Sequence, residues 1–198
     1  MLRYIVKCLW RISHEFRSWI KWMWYASLRG TFVRRLGGGT KFYGRIRFGS
    51  VEGNIDIGKN CGIGDDVFLS ASRGAFLRLG DNSMFNTGCH LVAVYGIEIG
   101  SNTRVGEYCS IRDQNHEFKF SDAPISSQAF FGAAIRIGQD VWIGRGVFVG
   151  PGVDIGDGAV IGANSVVTRS IPSYSIAVGA PARVIGRREG LSRPALGV

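Results

Sequence analysis

The chain has 198 residues, of which 29 are Gly and only 5 are Pro, and its formal net charge is +9. Gly stands far above its usual share of about 7% while Pro does not, which excludes a collagen or a Pro-rich linker and points to a tight turn that recurs. Residues 1–50 carry eleven Lys/Arg against Glu15 alone, whereas the remainder carries thirteen basic and fourteen acidic residues, so the main body has no electrostatic reason to hold nucleic acid.

Residues 1–36 form the first segment. Leu2, Ile5, Val6, Leu9, Ile12, Phe16, Trp19, Ile20 and Met23 follow helical spacing, with Arg3, Lys7, Arg11, Arg17 and Lys21 on the remaining surface. Charges interrupt the stretch too often for a spanning helix, which needs about 20 mainly apolar residues. Trp10, Trp19, Trp22 and Trp24 mixed with cations are the composition of a helix lying in a membrane interface, and residues 1–28 are expected either to bind the cytoplasmic leaflet or to pack on the protein.

A six-residue period governs residues 37–188. Ile57, Ile63 and Leu69 open it; Leu79, Phe85, Leu91 and Ile97 continue it; then come Ile99, Val105 and Ile111. The longest run is Ile137, Ile143, Val149, Ile155, Ile161 and Val167, the first five each followed by Gly. A period of six fits neither the 3.6 of a helix nor a hairpin alternation, but suits a short strand followed by a corner. Three such units make a triangular coil, stacked coils superimpose their aliphatic side chains, and Gly would supply the corner conformations. The expected class is therefore all-β. Val141, Val147, Val153, Ala159, Ser165 and Ile171 occupy the fourth position after each aliphatic, and Cys61, Cys89 and Cys109 share that slot, so these cysteines read as small, reduced, buried residues. The pattern breaks over about 115–134, a long loop on a rigid scaffold, which is a common home for function. Residues 189–198 form a tail.

The run VWIGRGVFVGPGVDIGDGAVIGANSVVTRSIPSYSIAVGAPARVIG, Val141 to Gly186, resembles the hexapeptide-repeat acetyltransferases, including maltose and galactoside acetyltransferases and those that modify capsule, exopolysaccharide or O-antigen sugars. The resemblance covers Gly53 to Arg188. It implies a left-handed parallel β-helix, a homotrimer with active sites between subunits, acetyl-CoA as co-substrate, no metal, and a cytoplasmic enzyme.

By that resemblance His116, in SIRDQNHEF where the repeat ends, is the general base, and an imidazole is suited to take a proton from an attacking hydroxyl. Asp113 either holds the tautomer of His116 or is an ordinary turn aspartate. Asn86 aligns with an acceptor-binding asparagine, or else is a corner residue in the left-handed conformation. Trp142 matches an active-site tryptophan that covers the pantetheine arm or the acceptor ring, or simply packs. The backbone N–H of Gly144 or Arg145 is a candidate oxyanion donor, while the bulk of Arg145 departs from the small residue frequent there. Ala163, Thr168, Arg169 and Arg183 fall at cofactor positions, the cations suiting the phosphates of coenzyme A.

The implied activity is acetyl transfer from acetyl-CoA to a sugar hydroxyl within a ternary complex, for glycan or polysaccharide biosynthesis. N-acylation of an amino sugar or antibiotic is the alternative on the same scaffold, and a non-enzymatic β-helical scaffold at the membrane is a second. A zinc carbonic anhydrase of this fold is disfavoured, since it needs three ligand histidines and His14 lies apart from His90 and His116.

Overall fold

A computed structural model describes residues 20, 33–50 and 52–189. The basic amphipathic segment therefore lies almost wholly outside the described residues, as does the tail beyond 189. Within them the chain is a parallel β-solenoid whose coils visit three walls in turn. The first wall has six strands: Arg35–Leu36, Asn54–Ile57, Phe76–Leu79, Ile97–Ile99, Ile135–Ile137 and Asp154–Ile155. The second has eight, from Lys41–Phe42 through Gly62–Ile63, Met84–Phe85, Arg104–Val105, Trp142–Ile143 and Val160–Ile161 to Ser175–Val178, closed by antiparallel Arg183–Arg187. The third has six: Ile46–Phe48, Val67–Ala71, His90–Ala93, Ser110–Arg112, Phe148–Val149 and Val166–Val167.

The periodic aliphatics point inward and stack. Ile57, Leu79, Ile99, Ile137 and Ile155 form one column, Ile63, Phe85, Val105, Ile143 and Ile161 a second, and Leu69, Leu91, Ile111, Val149 and Val167 a third, all buried. Each such side chain contributes on the order of 1.5–3 kcal/mol by leaving water, so the columns carry the fold. Ile171, read from the sequence as a fourth-position residue, pairs instead with Ile155 and continues the first column.

Two sequence expectations change here. The solenoid begins by Val33 rather than at 37: Arg34 N–H donates to the Ile55 carbonyl at 2.9 Å, and Leu36 is buried opposite Ile57. Leu36–Gly37 carries the aliphatic-Gly signature, but it precedes Ile57 by a spacing that is not a multiple of six, so a periodic count passes over it. The glycines after the aliphatics also have a different purpose. The left-handed corner residue is the third after the aliphatic, a glycine at Gly39, Gly88, Gly146, Gly152 and Gly158 and an amide or acid at Asn60, Asn82, Asn102 and Asp140, the last four with φ of 52, 57, 62 and 54°. The glycine directly after the aliphatic is there for vertical clearance: a Cβ on Gly100 would lie 2.6 Å from the backbone N of Gln139 in the next coil.

The fourth-position slot has a polar role as well. Thr40, Ser83 and Thr103 hydroxyls donate to the carbonyls of Gly58, Gly100 and Gly138, one coil on, at 2.8, 3.1 and 3.1 Å. The Cys61, Cys89 and Cys109 thiols repeat the contact with Gly80, Gly106 and Gly144 at 3.2, 3.0 and 3.0 Å. The cysteines are buried, as expected, and act as hydroxyl substitutes that tie coils together; burial pushes the Cys61 thiol up from its usual range.

Candidate active site

One strand of the third wall does not turn the corner as its neighbours do. Ser110–Arg112 runs on through Asp113 into Gln114–His116, which pairs antiparallel with Phe130–Gly132, so the expected loop is a hairpin at its base. Asp113 is fully buried and anchors the departure: Oδ1 accepts from the Val94 N–H at 2.8 Å, and Oδ2 from Tyr95 and Gly96 at 2.8 and 2.6 Å. Its carbonyl accepts from the Ala133 N–H at 3.1 Å, and Gly132 closes against it because a Cβ there would meet that oxygen. Charge-assisted bonds to backbone N–H groups are among the stronger ones a protein makes. Asp113 is therefore a structural clamp on the preceding coil. The expected tautomer-setting bond to His116 is not formed, because both carboxylate oxygens are committed to the Val94–Gly96 turn.

His116 is exposed, sits opposite Phe130 in the hairpin register, and rests its ring on the Phe130 ring with centroids 4.3 Å apart at 46°. An aromatic platform beneath an open imidazole restrains the ring while leaving its nitrogens free to meet a hydroxyl. Phe130 was not identified from the sequence. Its signal was present in the aromatic density of the segment, where Phe118, Phe120, Phe130 and Phe131 are all exposed.

The corner between the second and third walls gathers four other candidates. Gly144 is buried, and a Cβ on it would lie 2.6 Å from the Ala163 backbone N; likewise Gly106 abuts the Arg145 backbone N at 2.5 Å. Arg145 and Ala163 are exposed, and their backbone N–H groups make no hydrogen bond with the described residues. Adjacent coils stand about 4.8 Å apart, so these donors form an outward row suited to an extended chain bearing amides. Asn86 fills a slot taken by Gly64, Gly106, Gly144 and Gly162 in other coils, and its side-chain amide has no partner among the described residues. It is not left-handed; Gly88 serves that purpose at φ 70°.

The remaining candidates lie elsewhere. Trp142 is 59% exposed on the second wall, between Arg104 and Val160. Thr168 and Arg169 are exposed at the corner from which the hairpin departs, two coils further on. Arg183 is exposed in the terminal strand, donating from Nη1 to the Ala182 carbonyl at 2.9 Å. One chain thus brings Asn86, Gly144, Arg145 and Ala163 to a single corner, His116, Thr168 and Arg169 to another, and keeps Trp142 and Arg183 apart from both. A concavity of about 700 Å³ lies on the first wall among Glu98, Arg136, Asp154 and Ser173, and neither His116 nor any other site residue expected from the sequence lines it. Among the described residues no three His, Cys, Asp or Glu side chains are grouped to hold a metal ion, and no helix is long and apolar enough to cross a membrane.

Residues 134–169 match the profile of the bacterial transferase hexapeptide (six repeats). An Escherichia coli K12 protein named as the lipopolysaccharide biosynthesis O-acetyl transferase WbbJ is 37% identical over 142 residues, covering 68% of this chain and 72% of its own. A Mycobacterium tuberculosis protein named as an acetyltransferase is 36% identical over 135 residues, covering 68% of this chain, but the match spans only 45% of that longer relative. Among solved structures, a maltose O-acetyltransferase from Clostridium difficile 630 is 36% identical with a TM-score of 0.59, covering 72% of this chain and 71% of its own. The AntD N-acyltransferase from Bacillus cereus, solved with dTDP and coenzyme A, shares the fold at a TM-score of 0.70 and 22% identity, over 83% of this chain and 89% of its own. With the repeat on three walls and this identity over most of the Escherichia coli and Clostridium relatives, the chain belongs to the hexapeptide-repeat acyltransferase family.

Proposed function

We propose that the protein is an O-acetyltransferase that moves acetyl from acetyl-CoA to a sugar hydroxyl in the biosynthesis of a cell-surface glycan. The observation that carries this reading is the exposed His116 imidazole, seated on Phe130 at the base of a hairpin that Asp113 clamps to a rigid prism. Relatives named as O-acetyltransferases support the hydroxyl as acceptor.

In this mechanism His116 accepts the hydroxyl proton as the sugar oxygen attacks the thioester carbonyl. The new C–O bond forms, the C–S bond breaks, and the imidazolium returns its proton to the departing thiolate. Negative charge on the carbonyl oxygen calls for a donor, and the unpartnered N–H of Arg145 supplies one without help from its side chain. Arg145 and His116 stand on different corners of one chain. A homotrimer, in which the His116 corner of one copy meets the Arg145 and Trp142 side of another, reunites them. The basic, Trp-rich residues 1–28 support a peripheral place at the membrane surface on composition alone.

The test is mass spectrometry of surface glycan from cells carrying the wild type or His116→Ala. One acetyl mass per repeating unit disappears in the variant if the reading holds; unchanged acetylation overturns it. Liposome flotation with anionic lipids tests the membrane placement, which falls if deleting residues 1–28 leaves binding intact.

A further inference from the structure

The outward face of the third wall carries a ladder that the acetyl-transfer chemistry leaves unused. Arg47, Phe68, His90, Ser110, Phe148 and Val166 stand in register on successive strands, and Arg112 lies on the same face, two residues past Ser110 and opposite Val92. The Arg47 guanidinium lies 5.6 Å from the Phe68 centroid and contacts His90 Nε2 at 3.3 Å. A guanidinium only donates, so Nε2 is the acceptor and the His90 proton sits on Nδ1. Phe68 stacks on the His90 ring at 5.4 Å.

The charges on this face do not cancel. Asp66 accepts from Arg47 Nε at 2.9 Å and pairs with Arg45 at 3.2 Å, while Asp65 takes the Arg45 backbone N–H at 2.6 Å. Arg112 is half-buried and makes no hydrogen bond or ion pair with a described residue, although a half-buried guanidinium has five N–H donors to satisfy. It is close enough to help depress His90, whose pKa is lowered by burial first, then by Arg47 and Arg112, against Asp66. Arg112 stands four positions before His116, at most about 13 Å of extended chain.

We propose that Arg112, with His90 and its Arg47 partner, forms a subsite for an anionic oxygen group, a carboxylate or phosphate carried by the acceptor, so that the glycan unit acetylated is an acidic one. The planar guanidinium of Arg112 offers the two parallel donors a carboxylate or phosphate accepts, and His90 adds its Nδ1–H. Phe68 and Phe148 on either side supply apolar floor for the face of a sugar ring. The inference rests on the acetyl-transfer reading for the identity of the bound group as part of an acceptor.

The test is binding, measured on the full-length His116→Ala protein so that turnover plays no part. The probes are glucuronic acid, glucose 1-phosphate, glucose and coenzyme A, followed by the His90 ring resonances. The expected result is at least tenfold tighter binding of both anionic sugars than of glucose, lost in Arg112→Ala and Arg112→Gln and kept in part by Arg112→Lys. Equal binding of glucose, or an unchanged preference in Arg112→Ala and Arg112→Gln alike, overturns the proposal. Coenzyme A displacing glucose 1-phosphate also overturns it, since the anion site would then belong to the acyl donor. Failure of coenzyme A to bind the wild type would instead remove the acetyl-transfer reading and leave the anion preference as measured.

Discussion

The first and third walls are built from the same repeat yet present opposite surfaces. Outward positions of the first wall read Arg35, Asp56, Arg78, Glu98, Arg136, Asp154 across consecutive strands, a ladder in which every charge stands beside its opposite. Arg34 adds a further pair with Asp56, and Arg78 Nη1 approaches Glu98 Oε2 at 4.0 Å. The third wall mixes cations with aromatic rings and leaves Arg112 unanswered. A wall whose charges answer one another is content in water and pins strand register. A wall with an unmatched cation beside rings is ready for a ligand. The same inward columns support both, so the outward positions are where the two walls acquired different tasks.

The sharpest way to break this contrast is at the hairpin that continues the third wall. His116→Ala should lower acetyl transfer by roughly 10²–10⁴-fold, the usual worth of a general base, with an unchanged thermal midpoint because the side chain is exposed. A midpoint that falls with activity would show that the ring is structural. Asp113→Ala should act the other way round, with a stability loss of about 1.5–3 kcal/mol as three backbone donors, that of Gly96 buried, lose a charged partner; urea unfolding measures it. If Asp113→Ala kept wild-type stability while losing activity, the clamp would be a misreading.

A change on the first wall should be felt in stability alone. Glu98→Lys places three cations in a row with Arg78 and Arg136, costing about 1 kcal/mol through two like-charge neighbours, an effect that salt should shrink and that should leave transfer intact. Loss of transfer in this variant would bring the first wall into the site. The smallest effect concerns pH. His90 is held below its ordinary 6.5 by burial and by Arg47 and Arg112, so the unfolded chain takes up this proton first as pH falls. Stability from this group is complete above about 6.5 and declines as pH drops through 6.5 toward the folded value. His90→Gln should remove that part of the slope in urea midpoints between pH 7.5 and 5, and an unaltered slope would deny the burial of the ring.

The place of His116 in the fold was legible because motif and position coincide. His116 ends the regular register, and the segment after it is visibly foreign to the repeat, so its exposure at the hairpin base follows from the break in pattern. Glycine does supply left-handed corners, at Gly39, Gly88, Gly146, Gly152 and Gly158, but the clearance role of the glycine directly after each aliphatic was not visible, because spacing along the chain does not show the backbone of the next coil lying beside it. Asp113 was visible as a residue three positions before His116, yet its partners belong to the preceding coil.

The sequence by itself determined the three-walled solenoid, because a six-residue aliphatic period has one economical way to bury itself and each repeat reports it locally. It also determined that six of the cations precede that body, while Arg34, Arg35, Lys41, Arg45 and Arg47 turned out to belong to its first coil. What only the tertiary structure decided is which side chains meet across coils: Asp113 with the Val94–Gly96 turn, His116 with Phe130, Arg47 with His90. Those contacts depend on how many residues each corner inserts, and that count sets which strand lies over which. Register between coils is a property of the stacked chain, and no single repeat contains it.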